Sequence, residues 1–132
     1  MDIVRSSPDV GYFSQEIYRE VNFAQAVRVG AFVHYSGVVA ADAAGASIAS
    51  GDFPAQMEEI LNIYRRLLAA DQMSFDNLVS VTIFTTDMAA LVDYAPSFKL
   101  AFGDHPPAAT WVEVKALSHP DHMVEVVVIA AG

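Results

Sequence analysis

The chain has no cysteine, only 7 Lys and Arg, and a single tryptophan among its 132 residues. Without cysteine there is no disulfide framework, no Cys-ligated zinc, no Fe–S cluster and no thiolate nucleophile. The shortage of cations leaves 16 Asp and Glu unbalanced, for a formal net charge of −9. Phosphate affinity comes from clustered Lys and Arg, so nucleic acid is not an expected partner. An anionic membrane surface is excluded on the same ground. Long apolar runs are also missing: Val126 to Ala131 is far too short to span a bilayer. Asp2, Arg5 and Asp9 break up the N-terminus, no signal peptide is read there, and the cytoplasm is the expected compartment. No G-x-G-x-x-G, Walker A or nucleophile-elbow pattern is present, and neither a cofactor nor a metal is expected.

Apolar residues, by contrast, are abundant. They make up 54% of the chain before its 7 glycines are counted. Ordinary soluble domains reach about 45–50% with glycine included. A small domain has much surface for its volume and should need fewer. The excess therefore predicts an exposed apolar patch or, as the preferred reading, burial in an oligomer.

The length fits one domain over residues 1–132. Residues 1–20 mix charge, aromatics and a Ser6-Ser7-Pro8 turn signal, and read as a variable, loose lead-in with room for a short strand. Residues 21–29 and 31–39 read as strands joined at Gly30, a hairpin. Gly37 inside the second run predicts a bulge or a close backbone approach. After a loop over 40–52, Met57, Ile60, Leu61, Tyr64, Leu67 and Leu68 recur at helical spacing. They predict a helix over 54–70, with Asp52 as N-cap and Pro54 in the first turn.

Residues 78–85 alternate as a strand, with Val79, Val81 and Ile83 on one face and Ser80, Thr82 and Phe84 on the other. Asp87 opens a second helical region, whose regular helix is expected from near Pro96 to Phe102. Strands over 109–116 and 123–130, joined by loop 117–122, complete the order β-β-α-β-α-β-β. This is an α+β pattern with two helices on one sheet face. The opposite face is left bare, as the apolar excess requires.

His119 and His122 lie three residues apart in a Pro-containing loop, which reads as a solvated turn rather than a metal site. His34, on a strand, reads as structural, and His105 as part of a turn. Glu113 and Glu125 each interrupt a valine-rich strand, where a carboxylate is costly to bury unless paired or functional. Were the two strands neighbours, either could line a pocket as a general acid/base. The alternative is a carboxylate facing solvent or an interface and paired with a cation such as Lys115. A glycosidase reading finds no sugar cleft, and a nuclease reading finds no metal cluster.

Tyr35-Ser36-Gly37, Asp87-Met88, Pro106-Pro107-Ala108 and Glu125 carry a resemblance. From about Phe23 to Ala130 the chain resembles the Rid (YjgF) family of reactive-intermediate deaminases. The resemblance implies a chorismate-mutase-like subunit. Three such subunits pack their sheets into a central barrel, with small-molecule pockets at the subunit interfaces. It also implies release of ammonia from enamines and imines of 2-imino acids, with an arginine in a P-A-R pattern holding the substrate carboxylate. Here that pattern reads Pro107-Ala108-Ala109. Thr110 keeps the following hydroxyl, Trp111 replaces a usually small residue, and Phe23 stands where a tyrosine often lines the pocket. Gly37, beside Ser36, and Glu125, which positions the attacking water, match the family.

Two readings follow. In one, the chain is a divergent hydrolytic deaminase. Glu125 is its catalytic residue, and Phe23, Ser36, Gly37, Ala109, Thr110 and Trp111 bind an apolar small molecule. In the other it is a non-catalytic homotrimer that binds a metabolite or a partner, with Trp111 plugging the site.

Overall fold

The computed structural model describes residues 1–132. Seven strands form one sheet: β1 (Ile3–Ser6), β2 (Ala26–Val29), β3 (Phe32–Tyr35), β4 (Val38–Val39), β5 (Leu78–Thr85), β6 (Ala108–Glu113) and β7 (Val124–Ala131). Four helices accompany them: α1 (Gln15–Val21), α2 (Phe53–Ala70), α3 (Met88–Tyr94) and α4 (Phe98–Phe102). The sheet runs β1-β2-β3-β7-β5-β6, with β4 also paired to β7. All pairings are antiparallel except β5 with β6.

The expected α+β architecture, with helices on one sheet face, is the observed one. Asp52 caps α2, its carboxylate accepting from the Ala55 N–H at 3.0 Å, and Pro54 lies in the first turn. Met57, Ile60, Ile63, Leu67 and Leu68 are fully buried against Val124, Val126 and Val128 of β7. The β2–β3 hairpin turns at Gly30, whose φ of +61° is one that only glycine adopts readily.

Five details depart from the sequence expectations. Helix α1 was not expected. Ser14 caps it, accepting from the Ile17 N–H, and Asn22 ends it in a left-handed conformation with φ 58°. Tyr12 and Tyr18 are buried, so the lead-in is packed rather than loose. Val79 does not join Val81 and Ile83 in the core, because the β5–β7 register shifts between Leu78 and Ser80 and leaves Val79 exposed. The second helical region starts at Met88 with Asp87 as N-cap, and Pro96 lies in a single 3₁₀ turn between α3 and α4. Strands β6 and β7 are not neighbours, since β5 lies between them and pairs with β6 in parallel.

Candidate functional site

Strand β3 does not run straight into β4. From His34 to Val38 the chain advances four residues while its partner β7 advances three, from Ile129 to Val126. The extra residue is a β-bulge over 35–37. Three hydrogen bonds fix it to the preceding strand region. The Ser36 hydroxyl donates to the Ala24 carbonyl at 2.6 Å, and the Ser36 N–H donates to the Gln25 carbonyl at 2.8 Å. The Gln25 amide donates to the Ser36 carbonyl at 2.9 Å. From the other side, the Tyr64 hydroxyl of α2 lies 2.6 Å from the Val126 carbonyl and 3.1 Å from the Ser36 carbonyl.

The bulge makes room for Glu125. A Cβ added to Gly37 would lie 2.6 Å from Glu125 Oε2 and 2.9 Å from its carboxyl carbon. Any larger residue here would push the Glu125 carboxylate out of this position, which is the close approach that Gly37 suggested in the sequence. The alternation that turns Val124 and Val126 into the core turns the Glu125 side chain the other way, half-buried. Burial raises its pKa above the ordinary carboxylate value, because the charged form loses hydration.

Glu125, Gly37, Ser36 and Phe23 line one cavity of about 560 Å³. Its apolar wall comes from the packed lead-in. Tyr12 stacks on Phe13 at 4.2 Å, and Tyr18 meets Phe13 and Phe23 edge-on. The Tyr12 hydroxyl accepts from the Val39 N–H at 3.1 Å, and burial pushes its pKa far up, so it stays neutral. No Lys or Arg lines the cavity. Arg5 and Arg19 line a separate cavity that shares only Phe23 with it.

The remaining predicted residues lie elsewhere in the subunit. Ala109, Thr110 and Trp111 are on edge strand β6, two strands from Glu125. Ala109 and Trp111 pair with Val81 and Ile83 and share their side of the sheet. There they line a smaller cavity of about 160 Å³, with the Trp111 ring 6.3 Å from that of Phe98. Thr110 points to the opposite side. Within one subunit Trp111 does not line the Glu125 cavity, and so does not plug it. Glu113 is not in either cavity; its carboxylate accepts from the Met88 N–H at the start of α3 at 3.3 Å.

Two residues read from sequence as a solvated turn are in the cavity instead. His119 and His122 both line it, with ring centroids 5.5 Å apart. His122 is only 5% exposed, and its Nδ1 lies 3.3 Å from the Ser47 hydroxyl. Burial first, and the neighbouring His119 second, lower its pKa, while Asp121 works in the opposite direction. The loop is held by Gln56 of α2, which is fully buried. Its amide N–H₂ donates to the Asp121 carbonyl at 2.7 Å, and its carbonyl accepts from the Met123 N–H at 2.9 Å. No group of three or more His, Asp or Glu is placed to hold a metal ion.

A family model described as endoribonuclease L-PSP matches residues 13–132. The chain belongs to that family. It is the family called Rid or YjgF above, and the match includes the bulge, Glu125 and the loop of His119 and His122. Protein DfrA of Myxococcus xanthus is 33% identical over 97 residues, covering 72% of this chain and 74% of its own. A structure from Thermotoga maritima superposes with a TM-score of 0.84 at 27% identity, covering 98% of each chain. A Mycobacterium tuberculosis member of the YjgF/YER057c/UK114 family superposes at 0.81 and 24% identity, over 99% of this chain and 100% of that one. No helix of this family member is long and apolar enough to cross a membrane.

Proposed function

We propose that the chain hydrolyses small imines or enamines at the Glu125 cavity, and that its substrate is apolar and carries no carboxylate. The observation that carries this reading is a half-buried carboxylate of raised pKa, facing an aromatic-lined cavity through a bulge opened at Gly37. A carboxylate in that state accepts a proton from an attacking water and returns it to the departing nitrogen. Ser36 and Gly37 sit beside it and hold the substrate.

The substrate class follows from what the cavity lacks. With Ala109 in the arginine's place and no Lys or Arg in the lining, a substrate carboxylate would have no charge-assisted partner. Such a bond is worth about 1.5–3 kcal/mol, roughly tenfold to a hundredfold in affinity. An uncharged aromatic or aliphatic substituent fits the Tyr12, Phe13 and Phe23 wall instead. In a homotrimer with sheets packed together, the β6 edge of one copy, with Ala109, Thr110 and Trp111, completes the Glu125 cavity of the next. The endoribonuclease in the family's name is not carried over, because a cavity without cations on a chain of −9 does not suit RNA.

The test is ammonia release from two imines generated in place: one from benzylamine by a flavin amine oxidase, one from phenylalanine by an amino-acid oxidase. The protein is expected to accelerate hydrolysis of the first imine well beyond the second. Acceleration of neither, with tight binding of the corresponding amine, would favour the non-catalytic binding protein that Ala109 and Trp111 also suggest.

A further inference from the structure

His122 is the one buried ionisable group in the Glu125 cavity that the reading above leaves idle. Its Nδ1 is occupied by the Ser47 hydroxyl at 3.3 Å. Its Nε2 has no protein partner, yet no buried side-chain nitrogen or oxygen of the chain lacks one. The 5% of His122 that is exposed therefore includes Nε2. One ring nitrogen is thus hydrogen-bonded and the other is solvent-accessible on a residue that lines the Glu125 cavity, an arrangement open to acid/base work.

We propose that His122 is a second proton-transfer residue of this site, acting through Nε2 on the hydroxyl of the tetrahedral intermediate. The assignment rests on the imine-hydrolase reading above. Water adds to the carbon of a protonated imine, and Glu125 takes one water proton, leaving a neutral carbinolamine. Glu125 returns that proton to nitrogen. As the C–N bond breaks, ammonia leaves with the bonding electron pair, the carbonyl forms, and Nε2 takes the hydroxyl proton. The imidazolium then releases the proton to solvent.

The surroundings suit a base. Burial and His119 keep the ring on the neutral side near pH 7, and in the tautomer in which Nδ1 donates to the Ser47 hydroxyl, Nε2 is the accepting nitrogen. The charged and titratable groups around it are His119 and Asp121 on its own loop and Glu125 across the cavity. Lys115 lines a second cavity that both histidines also border. On the α2 side the loop is hydrogen-bonded to the uncharged Gln56. His119 is less suited, since its Nδ1 accepts from the Asp121 N–H at 3.0 Å and the residue is exposed.

The test compares wild type with His122→Gln, an uncharged side chain that keeps a polar atom near the Nε2 position but cannot carry a proton. With the benzylamine-derived imine, kcat should fall roughly 10²-fold at unchanged KM, and the low-pH limb of the kcat profile should lose its imidazole step and keep only the carboxylate step of Glu125. An unchanged kcat and limb in a folded His122→Gln would overturn the assignment alone. A wild type inactive on both imines would overturn the hydrolase reading and this assignment with it. Should the variant fail to fold, ¹⁵N NMR of the wild type decides. Benzylamine should shift the His122 Nε2 resonance, and a resonance that does not move contradicts the proposal.

Discussion

At the scale of single residues, the site is organised around one costly placement. Glu125 gives up hydration in a strand otherwise built from valine, isoleucine and alanine. Its folded pKa lies above the unfolded one, so the sign of its contribution is fixed. Below the unfolded value, near 4.5, the protonated side chain costs nothing extra. As pH rises through the folded pKa, ionisation in the half-buried site becomes a penalty. Glu125→Gln should therefore raise the melting temperature at pH 7–8. Thermal denaturation at pH 4 should show no such gain, and a variant less stable than wild type at pH 8 would contradict the account. Gly37 and Glu125 were legible in the sequence, because a glycine and a carboxylate each stand out within apolar strand patterns.

At the scale of elements, legibility followed periodicity. Helix α2 and strand β5 carry strong repeats and lie where the pattern puts them, and the β2–β3 hairpin turns at Gly30 as expected, but its strands are shorter than 21–29 and 31–39, since Val21 ends α1 and Asn22 caps it. Helix α1 has seven residues and only Tyr18 fully buried, too little for a periodic signal. The cap at Ser14 and the Asn22 terminus were the signals available for it. The insertion of β5 between β6 and β7 was not legible, because hydrophobic alternation reports a strand's faces and not its neighbours. Nor was the role of loop 117–122. What brings His119 and His122 to the cavity is the Gln56 amide, 65 and 67 residues earlier in the chain from its two loop partners. Gln56→Leu leaves the Met123 N–H and Asp121 carbonyl without this partner in a buried setting. It should cost about 2–4 kcal/mol in urea unfolding, and should loosen this loop selectively in amide hydrogen exchange. Uniform exchange across the chain would show that Gln56 does not hold the loop in particular.

At the scale of the whole molecule, the opening imbalance of composition takes a location. The bare sheet face presents Phe32 and Val112 to solvent, and half-buried Val127 and Ile129 lie between them on β7. A face of this kind on a 14.2 kDa chain calls for a partner surface. The homotrimer proposed above supplies it and brings the β6 edge to a neighbour's Glu125 cavity. Light scattering should give three times the chain mass. Val127→Glu should reduce that to one, because a carboxylate in the middle of the packed faces would be buried without a partner. A wild-type chain that stays monomeric at high concentration would leave the Glu125 cavity as a site within one subunit.

The central claim is that Glu125 performs chemistry and is not merely a strained strand residue. Its most direct test is the steady-state rate of ammonia release from the carboxylate-free imine, at saturating substrate, for wild type and Glu125→Gln. The account predicts a kcat at least about 10²-fold lower in a variant that is folded and no less stable than wild type. Equal rates for the two proteins would contradict it.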